Sequence, residues 1–403
     1  MLRKHRHRTG NQMLVREINL ATVMNALHRE SPLSRASLAE MTGLNKTTVS
    51  SLVQELIDTG FIHEIGFNSA GAGRPSVLLE FNPAAGFIVS AEIGVDFVSV
   101  ICTDFAVKSI WQHRQAISHP TEQTTILNLT LNLMQTGADA VRGRYPRLLG
   151  VAVGVPGLVD QTSGELLFAP NLGWQNVPLK QFFAEAFDVP VVVNNEANLS
   201  VLGEYFFGAA QGVDDVLYVS AGVGLGGAVI HGGQLFNGGA GFAGEFGHMT
   251  MDPTGEPCNC GNTGCWETQV SQSALFRAVR RAGRLGALTG SQLDELTVPQ
   301  IVSAAAQQDA VALDALAQVG RHLGVGIASL VNAFNPNLVV FGGILCLAAD
   351  YLLPVINTEL QQRALLWNQS AVRVVPARYG SDACVIGGAA AIYQSILDQP
   401  AVC

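Results

Sequence analysis

Leu148-Leu149-Gly150-Val151-Ala152-Val153-Gly154-Val155-Pro156-Gly157-Leu158-Val159-Asp160 is a buried strand that runs into a Gly/Pro loop. An apolar run without polar alternation marks a strand covered on both faces. The pattern returns in the second half, where residues 215–220 lead through Ala221-Gly222-Val223-Gly224-Leu225-Gly226-Gly227 into the apolar residues 228–230. Around the first copy, residues 87–93, 97–104 and 189–194 predict strands, and residues 125–141 and 179–187 fit helices. Around the second lie helices at 271–285, 297–307 and 310–334, a buried strand at 338–341, and a final helix beginning near Gly387. Hairpin-then-helix patterns in two halves predict an α/β body of two lobes with a cleft between them.

At 403 residues the chain has room for about two or three domains. It is 48% hydrophobic, yet no stretch approaches the roughly 18 uninterrupted apolar residues of a membrane span, which predicts a soluble protein with no membrane partner. The net charge of −9 is unevenly spread: residues 1–80 carry nine basic side chains against seven acidic ones, so the remainder is strongly acidic. That asymmetry fits a nucleic-acid-facing head on an acidic body. The basic opening, Met1-Leu2-Arg3-Lys4-His5-Arg6-His7-Arg8, lacks a following apolar core and does not read as a secretory leader, which places the chain in the cytoplasm.

The head reads as three helices and a wing. From Met13 to about Arg29, Leu20, Val23, Met24 and Leu27 recur at helical spacing, and Ser31-Pro32 ends the run. Ser34 caps a second helix through Met41, and Gly43 gives it a left-handed stop. Asn45 caps a third helix whose apolar face is Val49, Leu52, Val53 and Leu56; Gly60 closes it. Its other face offers Lys46, Thr47, Thr48, Ser50, Ser51 and Gln54, a short hydrogen-bonding surface suited to a DNA major groove. Residues 61–65 and 77–81 read as two strands joined by a loop in which Ala72-Gly73-Arg74-Pro75 presents Arg74 to a minor groove. A small helical protein-interaction module is the competing interpretation of this head.

His248, Cys258, Cys260 and Cys265 fall within eighteen residues of Gly-, Pro- and Asn-rich sequence. One imidazole and three thiolates make a closed tetrahedral set for a structural Zn2+, and loop composition argues against buried core cysteines. Seven cysteines in a chain without a leader favour metal over a disulfide framework. Glu245 and Glu267 flank the set, so one metal would anchor two carboxylates and an imidazole against a polyhydroxylated ligand.

Gly154-Val155-Pro156-Gly157-Leu158-Val159-Asp160, Asn195-Glu196-Ala197-Asn198, Ser220 to Gly227, Gly244-Glu245-Phe246-Gly247-His248, and Cys258-Asn259-Cys260-Gly261-Asn262-Thr263-Gly264-Cys265-Trp266-Glu267 resemble the ROK family of sugar kinases and sugar-responsive repressors. The resemblance runs from about residue 84 to the end. With the head in front it is to the repressor branch, and the Asn-Glu-Ala-Asn and Cys-Trp-Glu variants are similar to those of xylose-responsive members. It implies an N-terminal winged helix-turn-helix (1–81) followed by a two-lobed actin-like, ribonuclease-H-like domain. The first lobe would span 82–196 and the second 197–403, with the C-terminal helix packing back on the first. It further implies structural zinc, a free sugar such as xylose in the cleft, operator DNA as partner, and a homodimer or homotetramer. Asn195, Glu196, Glu245, His248 and Glu267 are the expected sugar partners. Asn171, in Pro170-Asn171-Leu172-Gly173-Trp174, either assists them or is an ordinary turn residue.

Kinases of the family carry Asp-x-Gly-Gly-Thr at the first hairpin, where ATP phosphates approach the backbone. This chain has Glu92-Ile93-Gly94-Val95-Asp96, which lacks the second glycine and the threonine and adds a carboxylate facing the phosphates. Glu196 stands where the kinases have their aspartate base, and one extra methylene displaces its carboxylate by about an ångström. No catalytic residue is therefore expected. An ATP-dependent sugar kinase with a DNA-binding head, or a repressor governed by a partner protein, are the alternatives.

Overall fold

A computed structural model describes residues 12–68, 76–117 and 122–400. The head comprises α1 (Gln12–Glu30), β1 (Leu33–Ser34), α2 (Arg35–Thr42), α3 (Lys46–Asp58), β2 (Ile62–Asn68) and β3 (Ser76–Phe81). Capping fixes its corners. Ser34 Oγ accepts from Ser37 N at the start of α2, Gly43 ends that helix at φ 70°, and Asn45 Oδ1 accepts from Thr48 N at 2.8 Å at the start of α3. The wing is a three-stranded sheet in the order β1-β3-β2, completed by the two-residue β1, a strand too short to leave a periodic signal.

In the body, β4 (Phe87–Ile93), β5 (Phe97–Asp104) and β6 (Ser109–Ala116) form a meander. They are followed by α4 (Gln123–Arg142), β7 (Leu148–Val155), a small sheet of β8 (Leu158–Asp160), β9 (Glu165–Ala169) and β10 (Trp174–Val177), then α5 (Leu179–Ala184), β11 (Val191–Asn195) and α6 (Glu196–Phe207). The second lobe repeats the meander with β12 (Val216–Ala221), β13 (Leu225–His231) and β14 (Gln234–Leu235). Next come α7 (Glu267–Val270), α8 (Gln272–Ala282), the ribbon β15 (Arg284–Leu285) and β16 (Leu288–Thr289), α9 (Val298–Ala306) and α10 (Ala310–Phe334). Last are β17 (Leu338–Gly342), α11 (Ala349–Arg363), α12 (Leu366–Ala371), β18 (Arg373–Pro376) and α13 (Ala383–Asp398).

The two large sheets have one topology. Read from the meander edge, the orders are β6-β5-β4-β7-β11 and β14-β13-β12-β17-β18, with β4, β7 and β11 parallel in one and β12, β17 and β18 parallel in the other. The body is five layers. α4 covers the outer face of the first sheet, α6 and α13 lie between the sheets, and α10 with α11 covers the second. Strand alternation sorts the core: Phe87, Val89, Val151 and Val153 face α4, while Ile88 and Ala152 face α13. In the second sheet Val216, Tyr218, Leu338 and Val340 face the centre, and Leu217, Val219, Val339 and Phe341 face α10. α13 packs on β7 and β4 of the first sheet. No helix among the described residues is long and apolar enough to cross a membrane.

Several boundaries differ from the sequence reading for identifiable reasons. The final helix begins at Ala383, because Gly387 and Gly388 are its close-packing points against α6 and β4 and not its start. α8 stops at Ala282, since Gly283 turns left-handed at φ 73° and releases Leu285 into the ribbon. The exposed edge strand β6 and the helix α11, which carries Pro354 in its interior, escaped a reading based on apolar period.

Candidate functional site

On the head, α3 turns Val49, Leu52, Val53 and Leu56 inward and leaves Lys46, Thr47, Ser50, Ser51 and Gln54 exposed; Thr48 is half-buried. Asn45 is exposed with its Oδ1 engaged in the cap, and Gln54 Nε2 donates to Asp58 Oδ1 at 2.9 Å. Arg74 lies outside the described residues. The cation at the other end of the helix comes from the body: Arg147, just before β7, donates to the carbonyl of Thr59 at 3.0 Å and lies 4.8 Å from the Phe61 ring centroid.

Between the lobes is a cavity of about 400 Å³ whose walls include Asn171, Asn195, Glu196, Glu245, His248 and Glu267. The strand-to-helix junction β11–α6 delivers two of them. Asn195 caps α6, accepting from Ala197 N at 2.8 Å and Asn198 N at 3.4 Å, and its Nδ2 donates to Gly157 O at 2.9 Å, leaving one N–H uncommitted among the described residues. Glu196 follows with Oε2 buried and without a partner among the described residues. Across the cleft, a tight turn of the chain brings Glu245 Oε2 to 3.8 Å from His248 Nε2. Asn171 Oδ1 accepts from Asn259 Nδ2 at 2.9 Å, which ties the β9–β10 loop to the cysteine loop. Leu158, Phe168 and Leu225 add apolar wall.

Within the Gly222–Gly227 stretch, Gly224 and Gly227 answer to this crowding. A Cβ on Gly224 would lie 2.7 Å from Glu267 Oε2 and 3.1 Å from Asn171 Nδ2, and one on Gly227 would meet the Phe246 ring. Glycine here lets the loop approach the polar side chains of the cavity.

His248, Cys258, Cys260 and Cys265 bring four ligand atoms within 4.8 Å of one another, a group that could hold a metal ion. Nδ1 of His248 is 3.6 Å from Cys258 Sγ, and Cys260 Sγ is 3.7 Å from Cys265 Sγ. The imidazole thus presents one nitrogen to the thiols and the other to Glu245 at the cavity. Glu267 Oε1 accepts from Cys258 Sγ at 2.8 Å. Trp266, fully buried, anchors the loop by donating Nε1 to His322 O at 2.9 Å.

The sequence reading did not assign Glu92 or Arg114 to the ligand cavity. Glu92 lines it from β4 with Oε2 buried and unpartnered among the described residues, and a lone acid in an apolar strand was the available signal. Arg114 gave none, because it sits on the unpredicted β6, where its guanidinium stacks 3.5 Å over the Phe97 ring.

Burial pushes Glu196 up to about 8, with the negative charges of Glu245 and Glu92 adding to the rise and a backbone hydrogen bond opposing it. Burial likewise lifts Glu92 to about 7, against the pull of Arg114. Both start from 4.5 in the unfolded chain, so the folded state holds more protons between these values and loses stability as pH rises from about 4.5 through 8. Glu196→Gln is therefore expected to melt above the wild type at pH 8.5 and level with it near pH 4.5. Equal destabilisation at both pH values would contradict this.

A profile of the ROK family matches residues 88–395, and a winged helix-turn-helix DNA-binding profile matches residues 22–63. The chain belongs to the ROK family. The xylose repressor of Caldicellulosiruptor bescii is 33% identical over 395 residues, which cover 97% of this chain and 99% of the relative. A crystal structure described as a ROK family transcriptional regulator, homologue of the Escherichia coli MLC protein, aligns with a TM-score of 0.82 at 29% identity over 96% of this chain and 97% of that one. A ROK glucokinase from Streptomyces griseus in complex with glucose and AMPPNP aligns with a TM-score of 0.66 at 31% identity over 75% of this chain and 98% of its own. The kinase's match leaves about a quarter of the present chain uncovered, whereas the regulator's takes in nearly all of it.

Proposed function

We propose that this ROK protein is a sugar-responsive transcriptional repressor of carbohydrate-utilisation genes, released from operator DNA by a free sugar, xylose first among them. The observation that carries the sugar half is the pair of buried oxygens without a partner among the described residues, Glu92 Oε2 and Glu196 Oε2, in the wall shared with Asn171, Asn195, Glu245, His248 and Glu267. Buried polar atoms are costly to leave unsatisfied, and a neutral polyol supplies hydroxyls without adding charge to an acidic cleft. The exposed face of α3, with Arg74 from the wing, would read the operator. Residues 1–81 are taken as the reading head, 82–196 as the first lobe and 197–403 as the second. A homodimer or homotetramer in the cytoplasm would present two heads to a palindromic site.

Zinc suits the cysteine loop. A tetrahedral ion with metal–sulfur bonds of about 2.3 Å holds its sulfurs about 3.8 Å apart, and the 3.7 Å between Cys260 and Cys265 sulfurs fits that edge. With four protein donors it would leave no open position, so its part would be to fix the His248 ring with Nε2, beside Glu245, facing the sugar. Phosphoryl transfer is disfavoured at the first hairpin: Val95 and Asp96 line the cavity there, and the Phe97 ring fills the space beside Gly94. Asp96 would face a nucleotide's phosphates with like charge.

The test is selection of an operator from random duplex DNA by the purified zinc-loaded protein, followed by gel shifts with and without a panel of sugars. Binding that xylose or another free sugar relieves supports the proposal. No duplex retained at low salt overturns it, and ATP turnover with a pentose or hexose would favour the kinase alternative. Glu245→Gln, which keeps shape and removes the charged acceptor, is expected to weaken sugar binding about tenfold or more in calorimetry while sparing sugar-free operator binding.

A further inference from the structure

Two helices run from the cavity to the head. α6 starts at Glu196 in the cavity wall, and α13 follows directly on Gly380 and Ser381, which with Cys384 of its first turn line the same cavity. The two touch backbone to backbone. A Cβ on Gly203 would lie 2.9 Å from Ala383 O and Gly387 N, and one on Gly387 would overlap the Leu199 carbonyl, so neither helix can slide without the other. Twelve residues of α6 carry this pair about 18 Å from the cavity.

At the far end both helices meet α1 of the head. Tyr393 OH lies 3.1 Å from His28 Nδ1, the His28 ring centroid is 5.2 Å from that of Phe206 and 5.5 Å from that of Tyr393, and Phe207 packs on Tyr393 at 5.3 Å. Phe81 of the wing joins the same cluster, 5.8 Å from Tyr393. Head, α6 and α13 share one hydrophobic core.

We infer that α6 and α13 form a lever that carries occupancy of the cavity to the DNA-reading head, with His28, Phe206 and Tyr393 as the positioning residues at its distal end. The inference rests on the proposed function and adds the route. A ligand hydroxyl that satisfies Glu196 engages the first turn of α6, which packs on β12 and β13 of the second sheet, while Glu92 of β4 and Asn195 of β11 hold the ligand from the first lobe, so binding changes where α6 sits against α13. The packed pair transmits that change to α1, because its interfaces leave no slack to absorb it.

The experiment measures coupling in the full chain: operator affinity with and without saturating xylose, and xylose affinity with and without operator, which must change by the same factor. Tyr393→Phe removes the hydroxyl facing His28 and keeps the ring; Phe206→Leu thins the cluster. Both are expected to bind xylose within twofold of wild type, and to show a coupling factor reduced at least threefold in both directions. A full wild-type factor in both folded variants overturns the lever. Should either variant fail to fold, hydrogen exchange on the wild type decides, with changed protection in α13 and α1 on adding xylose supporting the lever and change confined to the cavity overturning it. A wild-type chain that binds xylose and leaves operator with no response in these readouts loses the lever alone. One that binds no sugar loses the proposed function and the lever together.

Discussion

Cys258→Ser is expected to abolish the proposed metal binding and, with it, most of the sugar response. The loop from Thr250 to Cys265 has little regular structure to hold it: isolated bridges pair Thr250 with Cys265 and Pro257 with Thr263, and a few backbone hydrogen bonds such as Cys258 N to Asn262 O complete the turn. A four-donor metal would hold such a knuckle in one conformation, and metal binding energy of this kind is folding energy. Removing one thiolate leaves a weaker three-donor set and a His248 ring held less firmly. Metal analysis should find no stoichiometric zinc, the thermal midpoint should fall by about 5 °C or more, and sugar affinity should drop at least tenfold. Chelation of the wild type should reproduce all three. Unchanged metal content and melting in the variant would remove the structural role assigned to the cluster.

The parts of this molecule that were legible in its sequence are those where local chemistry dictates one outcome. Ser34, Gly43 and Asn45 announce the corners of the head because caps and left-handed stops accept few residue types. The thiol and imidazole donors of the knuckle lie close in sequence, so their convergence needed no knowledge of tertiary structure. Glu92 and Arg114 were harder. Glu92 reaches the cavity by way of the β4–β7 pairing between distant segments, which leaves no trace in a local pattern, and Arg114 lies on the largely exposed edge strand β6, which carries no apolar period. Asn195 shows a subtler gap: its place at the cavity was readable, but the commitment of its Nδ2 to Gly157 O depends on a loop 38 residues away. The lever was invisible for the same reason, since the glycines that let α6 and α13 touch, Gly203 and Gly387, carry no signal of their own.

Glu204 shows what such silent positions contribute. It is fully buried on α6, and its carboxylate gathers three backbone N–H groups: Ala209 at 2.7 Å, Arg378 at 3.1 Å and Tyr379 at 2.9 Å. Tyr379 OH and Arg378 Nη1 return bonds to Phe207 O, at 2.9 and 3.3 Å. The residue therefore staples the distal end of α6 to the segment that leads from β18 into Gly380, Ser381 and α13. Glu204→Leu leaves those part-buried N–H groups without their acceptor at about 1–2 kcal/mol each, so a loss of about 3–5 kcal/mol is expected. Glu204→Gln keeps a carbonyl acceptor and should cost less than half as much. Urea unfolding of the two variants measures that order. Because the stapled segment also lines the cavity, Glu204→Leu protein that remains folded should bind sugar at least tenfold more weakly, whereas a residue serving stability alone would leave sugar affinity untouched. Equal stability of the leucine and glutamine variants would mean that the three N–H groups find other partners, and that the carboxylate does not hold α6 to α13.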